Sequence, residues 1–309
     1  MNNPLVSVII PNYNHAKFLD QRINSILSQT YNNYEIIILD DKSSDNSIEI
    51  IQKYRDNEHV SQIVINEENS GSTFKQWKKG FKLSRGELIW IAESDDACTP
   101  ELLETLVHEF KKDPKCVIAF CQSYLLNTNG DIIGKEGLNK ELHVNGLFFI
   151  KHYLCHHNYI SNASSAVFRK DILPKIDWSF STYHGSGDWL AWIEISRFGN
   201  VAYINKAMNL FRKHTTNTTA KLAIDGRGEA EAAEIYKYLR KQNLIGFKEE
   251  FRARLSHIYT IKYGKQHSFY NKETKKELAN AWRANILINA IDWTIFQIHK
   301  VFGINIIKR

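Results

Sequence analysis

Long apolar runs are missing: no stretch of this 309-residue chain approaches the roughly 18–20 consecutive apolar residues that a bilayer-crossing helix needs. The N-terminus lacks a secretion-signal pattern, since Met1–Leu5 leads straight into a strand-like run, and a cytoplasmic location is the expectation. Proline is scarce at five and glycine reaches only 15, which removes collagen-like and low-complexity classes. The four cysteines, at 98, 116, 121 and 155, have neither zinc-knuckle spacing nor the density of a disulfide framework, so they read as reduced thiols. A strong global charge is also absent. The net charge is +6, but residues 220–309 carry 17 Lys/Arg against 9 Asp/Glu, whereas the first 219 carry 23 against 25. A basic excess confined to the C-terminal third points to no nucleic-acid partner.

What is present is an ordinary globular composition, 43% hydrophobic and 24% charged, enough for one large domain or a main domain with an appendage. Leu5–Ile10 is a continuous β-branched run, as in a strand buried on both faces of a parallel sheet. Leu19, Ile23, Ile26 and Leu27 then share a helical face, and Glu35–Leu39 is a second buried strand. The alternation continues through a helix over Ser43–Tyr54, a strand at Gln62–Ile65, a helix at Thr73–Leu83 and a strand at Glu87–Ala92. Thr99-Pro100-Glu101 reads as cap, proline and acid ahead of a helix over Leu102–Lys111, with a strand at Val117–Leu126 beyond. The pattern predicts an α/β fold with an open sheet, which binds ligands at the carboxyl ends of its strands. Residues 146–219 look irregular, and 220–309 almost wholly helical, with helix formers at Glu229–Leu239 and around Lys275–Ala284.

Two acidic clusters stand at predicted strand ends: Asp40-Asp41, and Glu93-Ser94-Asp95-Asp96. Acids there also cap helices, and for Asp45 and Glu101 capping is the expected role. Crowded carboxylates, however, repel one another unless a cation neutralises them; oxygen ligands suit Mg²⁺ or Mn²⁺, which share their shell with phosphates. That combination points to a nucleoside diphosphate ligand. The first strand is followed by Pro11-Asn12-Tyr13-Asn14-His15 rather than a Gly-x-Gly-x-x-Gly turn, and no Walker A sequence occurs, so dehydrogenase and P-loop readings fall away.

With these residues in view, VSVIIPNYNHAKFLDQRINSILSQTYNNYEIIILDDKSSDNSIEII resembles the start of a family 2 glycosyltransferase of the GT-A fold. The resemblance runs through NSGSTFKQWKKG, SRGELIWIAESDD, GSGDWLAWIEI and FRKHTTNTT, roughly residues 4 to 219, leaving a C-terminal helical region outside it. It implies a GT-A catalytic domain over 1–219 with a Rossmann-like open mixed sheet, and a helical extension over 220–309. It also implies a donor pocket lined by Pro11 and Tyr13, with Asp41 on the base. The ESDD segment takes the place of the family's Asp-x-Asp motif, with Glu93 toward the ribose, Asp95 on Mn²⁺ or Mg²⁺, and Asp96 on the sugar or the surrounding shell. Asp188 matches the family's catalytic base, which removes the acceptor hydroxyl's proton during inversion. His214 matches a late histidine near the diphosphate and metal, with Arg212 beside it for the phosphates.

Other features invite chemistry less strongly. His152, Cys155, His156 and His157 lack identified third and fourth zinc ligands and read as surface or acceptor contacts. Trp77, Trp90, Trp189 and Trp192 read as core, and Trp178 and Tyr183 as acceptor-site aromatics. The segment Ile286–Phe302 has a wide apolar face bordered by Asn289, Asp292, His299 and Lys300. Such a face needs cover from the catalytic domain, from a second subunit in a homodimer, or from peripheral contact with the inner face of the cytoplasmic membrane.

The function expected is metal-dependent, inverting transfer of a sugar from a nucleotide-sugar donor, UDP-linked, to a hydroxyl of a surface glycan or lipid-linked acceptor. The alternative is a non-catalytic sugar-nucleotide-binding or scaffold subunit, against which the joint presence of Asp41, Asp95 and Asp188 argues. A sugar nucleotidyltransferase would show a glycine-rich basic loop after the first strand, and none is present.

Overall fold

A computed structural model of the chain describes residues 3–213, 225–263 and 270–282, together with 290, 291, 293, 294 and 297. His214, most of Ile286–Phe302, and Lys308-Arg309 lie outside the described residues. The chain divides into two compact units: residues 1–149, 159–182 and 187–214 in the first, and 150–158, 183–186 and 215–309 in the second.

The first unit is built on one mixed sheet. Strands β1 (Val6–Asn12), β2 (Tyr34–Asp40), β3 (Val60–Ile65), β4 (Leu88–Ile91), β5 (Ala97–Cys98), β6 (Cys116–Leu126), β7 (Ile132–Glu136), β8 (Leu142–Asn145), β9 (Ala166–Arg169) and β10 (Asn200–Arg212) lie in the order β3-β2-β1-β4-β9-β6-β10-β5, with β7 on β6 and β8 on β10. β1, β2, β3 and β4 run parallel, as do β6 and β10; β9 enters antiparallel between β4 and β6. Every residue of β1 and β2 is buried, because helices cover both faces of a parallel sheet and β-branched side chains fill the pleats.

The helices are α1 (Ala16–Leu27), α2 (Ser47–Gln52), α3 (Thr73–Leu83), α4 (Leu102–Lys112), α5 (Gly146–Phe149) and α6 (Gly187–Ser196). α3 lies close on β1 because Gly80 has no side chain: a Cβ there would stand 2.5 Å from Ile9 Cγ2.

Several local expectations are corrected. α2 begins at Ser47, not Ser43, because Asp40 Oδ1 captures the Ser43 amide at 2.8 Å and Asp45 Oδ1 the Ser47 amide at 3.0 Å, holding the loop out of helix. Asp45 Oδ2 also accepts the first amide of α1, Ala16, at 2.9 Å, so one carboxylate terminates two helices. Thr99 gives α4 no side-chain cap; its carbonyl accepts the Leu102 amide at 3.3 Å. The described part of 146–219 is more regular than it reads: it supplies α6 and the 13-residue β10. Register shifts along β10 break its alternation and hide the strand from periodicity.

The second unit contains helices α7 (Arg227–Lys241), α8 (Phe247–Tyr263) and α9 (Lys272–Ala281). They bury Ile235, Tyr236, Leu239, Ile258, Ile261, Leu278 and Trp282. α9 is capped by Asn271, whose side chain accepts the Thr274 amide at 2.8 Å. Ile150–Leu154, which contains His152, is a π-helical turn, and Cys155, His156 and His157 follow it outside any helix. All four cysteines are free and buried. Among the described residues, no helix is long and apolar enough to cross a membrane.

Candidate active site

Parallel pairing brings the carboxyl ends of β1, β2 and β4 to one edge of the sheet, and the polar loops that follow meet there. Asn12 stands opposite Asp40 in register, and the Asp41 amide donates to the Asn12 carbonyl at 2.8 Å. Asn14 and Lys42 both take positive φ, 56° and 62°, a conformation that asparagine tolerates better than most side chains. Asn14 Oδ1 accepts the Ser44 amide at 2.7 Å, latching the β1 loop to the β2 loop.

The two aspartates divide the work. Asp40, fully buried, accepts from Asn12 Nδ2, the Ser43 amide and Ser43 Oγ at 2.7–2.8 Å. Asp41 accepts from Asn66 Nδ2 at 2.6 Å, the Ser70 amide at 2.9 Å, Ser70 Oγ at 2.8 Å and Gln76 Nε2 at 2.8 Å. These donors orient the Asp41 carboxylate at the β2 end. Pro11 is buried in β1, and Tyr13 stands on the rim, 49% exposed.

After β4, the ESDD segment is held from several sides. Asp96, fully buried, accepts from Asn162 Nδ2 at 2.9 Å, Ser164 Oγ at 2.7 Å and the Arg212 amide at 3.0 Å. Ser164 Oγ also accepts the Glu93 amide at 3.0 Å, and Trp77 Nε1 donates to Glu93 Oε1 at 3.1 Å. His15 Nδ1 lies 2.8 Å from Ser94 Oγ, tying the β1 loop to this segment. Arg212 turns its Nε to the Asp95 carbonyl, Nη1 to the Asn127 carbonyl and Nη2 to Gln21 Oε1, and stacks over Phe18 at 4.6 Å. Arg212 is buried, and these bonds brace the segment from behind.

Carboxylate crowding shows in the titration of the cluster. Burial, followed by the charges of Asp95 and Asp96, pushes the Glu93 carboxyl up to about 8. Burial and Asp95 likewise raise Asp96, against Arg22 and the hydrogen bonds from the Arg212 amide and Ser164. Arg22 is a fully buried cation on α1 that stacks on Trp90 at 4.9 Å, and among the described residues its three guanidinium nitrogens meet no oxygen or nitrogen acceptor. Gln21 beside it meets Arg212, and Ser25 one turn later meets Cys98, so Arg22 lies against the back of the acidic segment.

The family's metal can be tested on these residues. Among the described residues no three His, Cys, Asp or Glu side chains form a metal cage. The donor set is instead partly exposed Asp95 beside the half-buried Glu93 and locked Asp96. This suits a hard cation that takes one or two carboxylates and completes its shell with substrate phosphates.

Asp188 opens α6 in the first turn and accepts the Trp189 amide at 2.7 Å. Its position is set by Gly187, where a Cβ would stand 2.5 Å from the Phe180 carbonyl and 2.7 Å from the Phe74 ring. One turn along the same face, Trp192 packs on Trp77 at 5.9 Å, the ring that bonds Glu93. Asp188 thus shares a helix face with a support of the ESDD segment. Trp178 packs among Phe81, Phe180 and Lys78. Tyr183 falls in the second unit, where neighbouring His184, Gly185 and Ser186 amides donate to Glu231.

Asn162, Ser164, Trp77, His15 and Arg22 went unread in the sequence as site supports. Only Arg22 leaves a trace there: it interrupts the apolar face Leu19, Ile23, Ile26 at helical spacing.

Comparison with known proteins adds the family. The curated relatives include glycosyltransferase GlyG of Streptococcus pneumoniae serotype 4, 37% identical over 121 residues, 39% of this chain and 40% of that protein; the match thus spans well under half of that relative. The poly(ribitol-phosphate) beta-N-acetylglucosaminyltransferase TarP of Staphylococcus aureus is 27% identical over 301 residues, 91% of this chain and 86% of that one. The crystal structure of S. aureus TarS 1–349 in complex with UDP-GlcNAc shares the fold, with a TM-score of 0.66 at 16% identity over 89% of this chain and 79% of that one. The description "Glycosyl transferase family 2" matches residues 7–177, more than half of the chain and the stretch that carries β1, β2, β4 and the ESDD segment, and the chain therefore belongs to glycosyl transferase family 2.

Proposed function

We propose that the chain catalyses metal-dependent, inverting transfer of a sugar from a nucleotide-sugar donor, UDP-linked, to a hydroxyl of a surface glycan. Residues 1–219 form the catalytic domain in this reading and 220–309 its helical extension. The observation that supports it is that oriented Asp41, crowded Glu93-Asp95-Asp96 and the α6 start bearing Asp188 belong to one compact unit. The acceptor class is supported by the likeness to TarP over most of the chain, and the donor class by the fold shared with TarS, whose structure holds UDP-GlcNAc.

In this mechanism the nucleotide lies over Pro11 and Tyr13 with its base toward Asp41, and the ribose and diphosphate run toward Glu93 and Asp95. Asp95, with His214, would hold Mn²⁺ or Mg²⁺, which when bound neutralises charge developing on the departing diphosphate. Asp96 and Arg212 keep the segment in place, Arg212 through the Asp95 carbonyl and the Asp96 carboxylate. Asp188 takes the acceptor hydroxyl's proton onto a carboxylate oxygen as that hydroxyl attacks the anomeric carbon. A single carboxylate suffices because the leaving diphosphate needs no proton, unlike the paired acids of a hydrolase.

The test is release of UDP from UDP-sugars with and without Mn²⁺, in the native chain and in Asp95→Ala. Mn²⁺-dependent release that Asp95→Ala abolishes, with the fold retained, is the expected result. Retained UDP binding without turnover of any donor would instead mark a non-catalytic sugar-nucleotide-binding subunit.

A further inference from the structure

The helical unit holds a cavity for which the chemistry proposed above has no use. It measures about 330 Å³, and its wall combines Tyr236, Phe247 and Trp282 with Lys237, Arg240 and Arg254. Among the described residues the cations of the wall exceed the carboxylates of the wall. Glu250 serves both guanidiniums, accepting Arg240 Nε at 2.9 Å and Arg254 Nη2 at 2.5 Å. One carboxylate between two arginines leaves a positive charge over, and Lys237 adds another whose partner, Glu234, is not in the cavity wall.

Two of the rings, Tyr236 and Trp282, are held in place and each is 3% exposed. Trp282 stacks on His257 at 4.2 Å with 12° between the planes and leans on Tyr236 at 5.3 Å. His257 is held in turn by Glu229 at 2.6 Å, and the Tyr236 hydroxyl donates to the Cys155 carbonyl. Trp282 Nε1 is buried with no hydrogen-bond partner among the described residues, and Phe247 stands 71% exposed at the rim. The exposed Phe247 ring beside guanidinium forks suits a ligand with an apolar sugar face and an anionic group, since the ring packs on C–H surface while arginine engages phosphate or carboxylate. A cavity near 330 Å³ sits at the small end of ligand pockets, about 300–1,000 Å³, and holds about one such unit. A concave, ring-lined wall differs from the flat or convex basic face that adsorbs to a bilayer.

We propose that this cavity is a binding subsite for one anionic sugar unit, phosphate- or carboxylate-bearing, of the acceptor glycan. The assignment rests on the reading of the chain as a glycosyltransferase acting on surface glycan, and it names the chemistry of that acceptor.

The experiment is calorimetric titration of the full chain, without nucleotide or metal, with glucose 6-phosphate, glucuronate, glucose and inorganic phosphate. The charged sugars are expected to bind at least tenfold more tightly than glucose or inorganic phosphate, with Arg254→Gln weakening them about tenfold and Lys237→Gln about threefold. Because Arg254→Gln disturbs the Glu250 pair, Lys237→Gln and Phe247→Ala, both at exposed positions, carry the test if that variant fails to fold. Equal binding of inorganic phosphate and glucose 6-phosphate would overturn the proposal, since the rings would then contribute nothing. Unchanged affinity in the folded variants would overturn it as well. So would sedimentation with phosphatidylglycerol vesicles that Lys237→Gln abolishes while no sugar binds, an outcome that assigns the face to a membrane. UDP release from donor sugar, measured on the same preparations, separates the two readings: it should survive all three substitutions, and its absence from the native chain beside intact sugar-phosphate binding would count against the donor chemistry alone.

Discussion

Single side chains decide the chemistry assigned to the sheet edge. Asp188→Asn keeps the size and helix-start position of the residue but removes the basic carboxylate, so donor affinity should hold while transfer slows by about 10²-fold or more; single-turnover rates beside UDP affinity measure both, and near-normal turnover would remove Asp188 from the mechanism. Arg22 is of another kind. Among the described residues its buried guanidinium nitrogens meet no oxygen or nitrogen acceptor, so its main contribution is its charge against the acidic segment and its stacking on Trp90. Arg22→Met keeps most of the volume and deletes the cation. A divalent ion at Asp95 then no longer faces a second positive charge, and Mn²⁺ with UDP should raise the melting temperature more in the variant than in the native chain. An equal or smaller rise would show that Arg22 acts only by packing.

Elements place those side chains, and contacts without chemistry of their own do the placing. α6 carries Asp188 because Gly187 allows the helix start to touch the Phe180 carbonyl and Phe74. Gly187→Ala puts a methyl into that contact and should cost roughly 1–3 kcal/mol of stability, the usual scale of overpacking, with transfer falling further than stability because Asp188 moves with the helix. Thermal unfolding and transfer rates measured on one preparation check this; an unaltered melting temperature would mean that the start of α6 is not fixed by the contact. β10 acts similarly at the other side of the cluster, since its last residue, Arg212, supplies the amide that Asp96 accepts and the Nε that holds the Asp95 carbonyl.

Across the whole molecule, a buried acid far from the chemistry links stability to pH. Burial raises the Glu35 carboxyl, but hydrogen bonds from Ser7, the Arg85 amide, Ser61 and the Arg85 guanidinium outweigh it and leave it below the ordinary glutamate value. A depressed folded-state value means stability that is present above the ordinary glutamate range and lost as pH falls through the folded-state value. Glu35→Gln should therefore unfold more easily at pH 7, by about 1–3 kcal/mol from weakened buried hydrogen bonds, and lose less additional stability between pH 5 and 3 than the native chain; parallel pH dependence of the two would refute this. The sequence by itself determined the alternation of β1, α1, β2, α3 and β4, because strands buried on both faces must be continuous apolar runs and their covering helices must be amphipathic. It also marked Asp41 and the ESDD segment, since acids at strand ends are readable from order, while Asp188 was marked only by the family resemblance. It left β10 unseen, because register shifts break the alternation. Only the tertiary structure decided that Asn162 and Ser164 clamp Asp96 and that Arg212 braces the segment through the Asp95 carbonyl and the Asp96 carboxylate. Those partners lie far apart along the chain, and hydrogen bonds between distant residues leave no periodicity for a sequence to show.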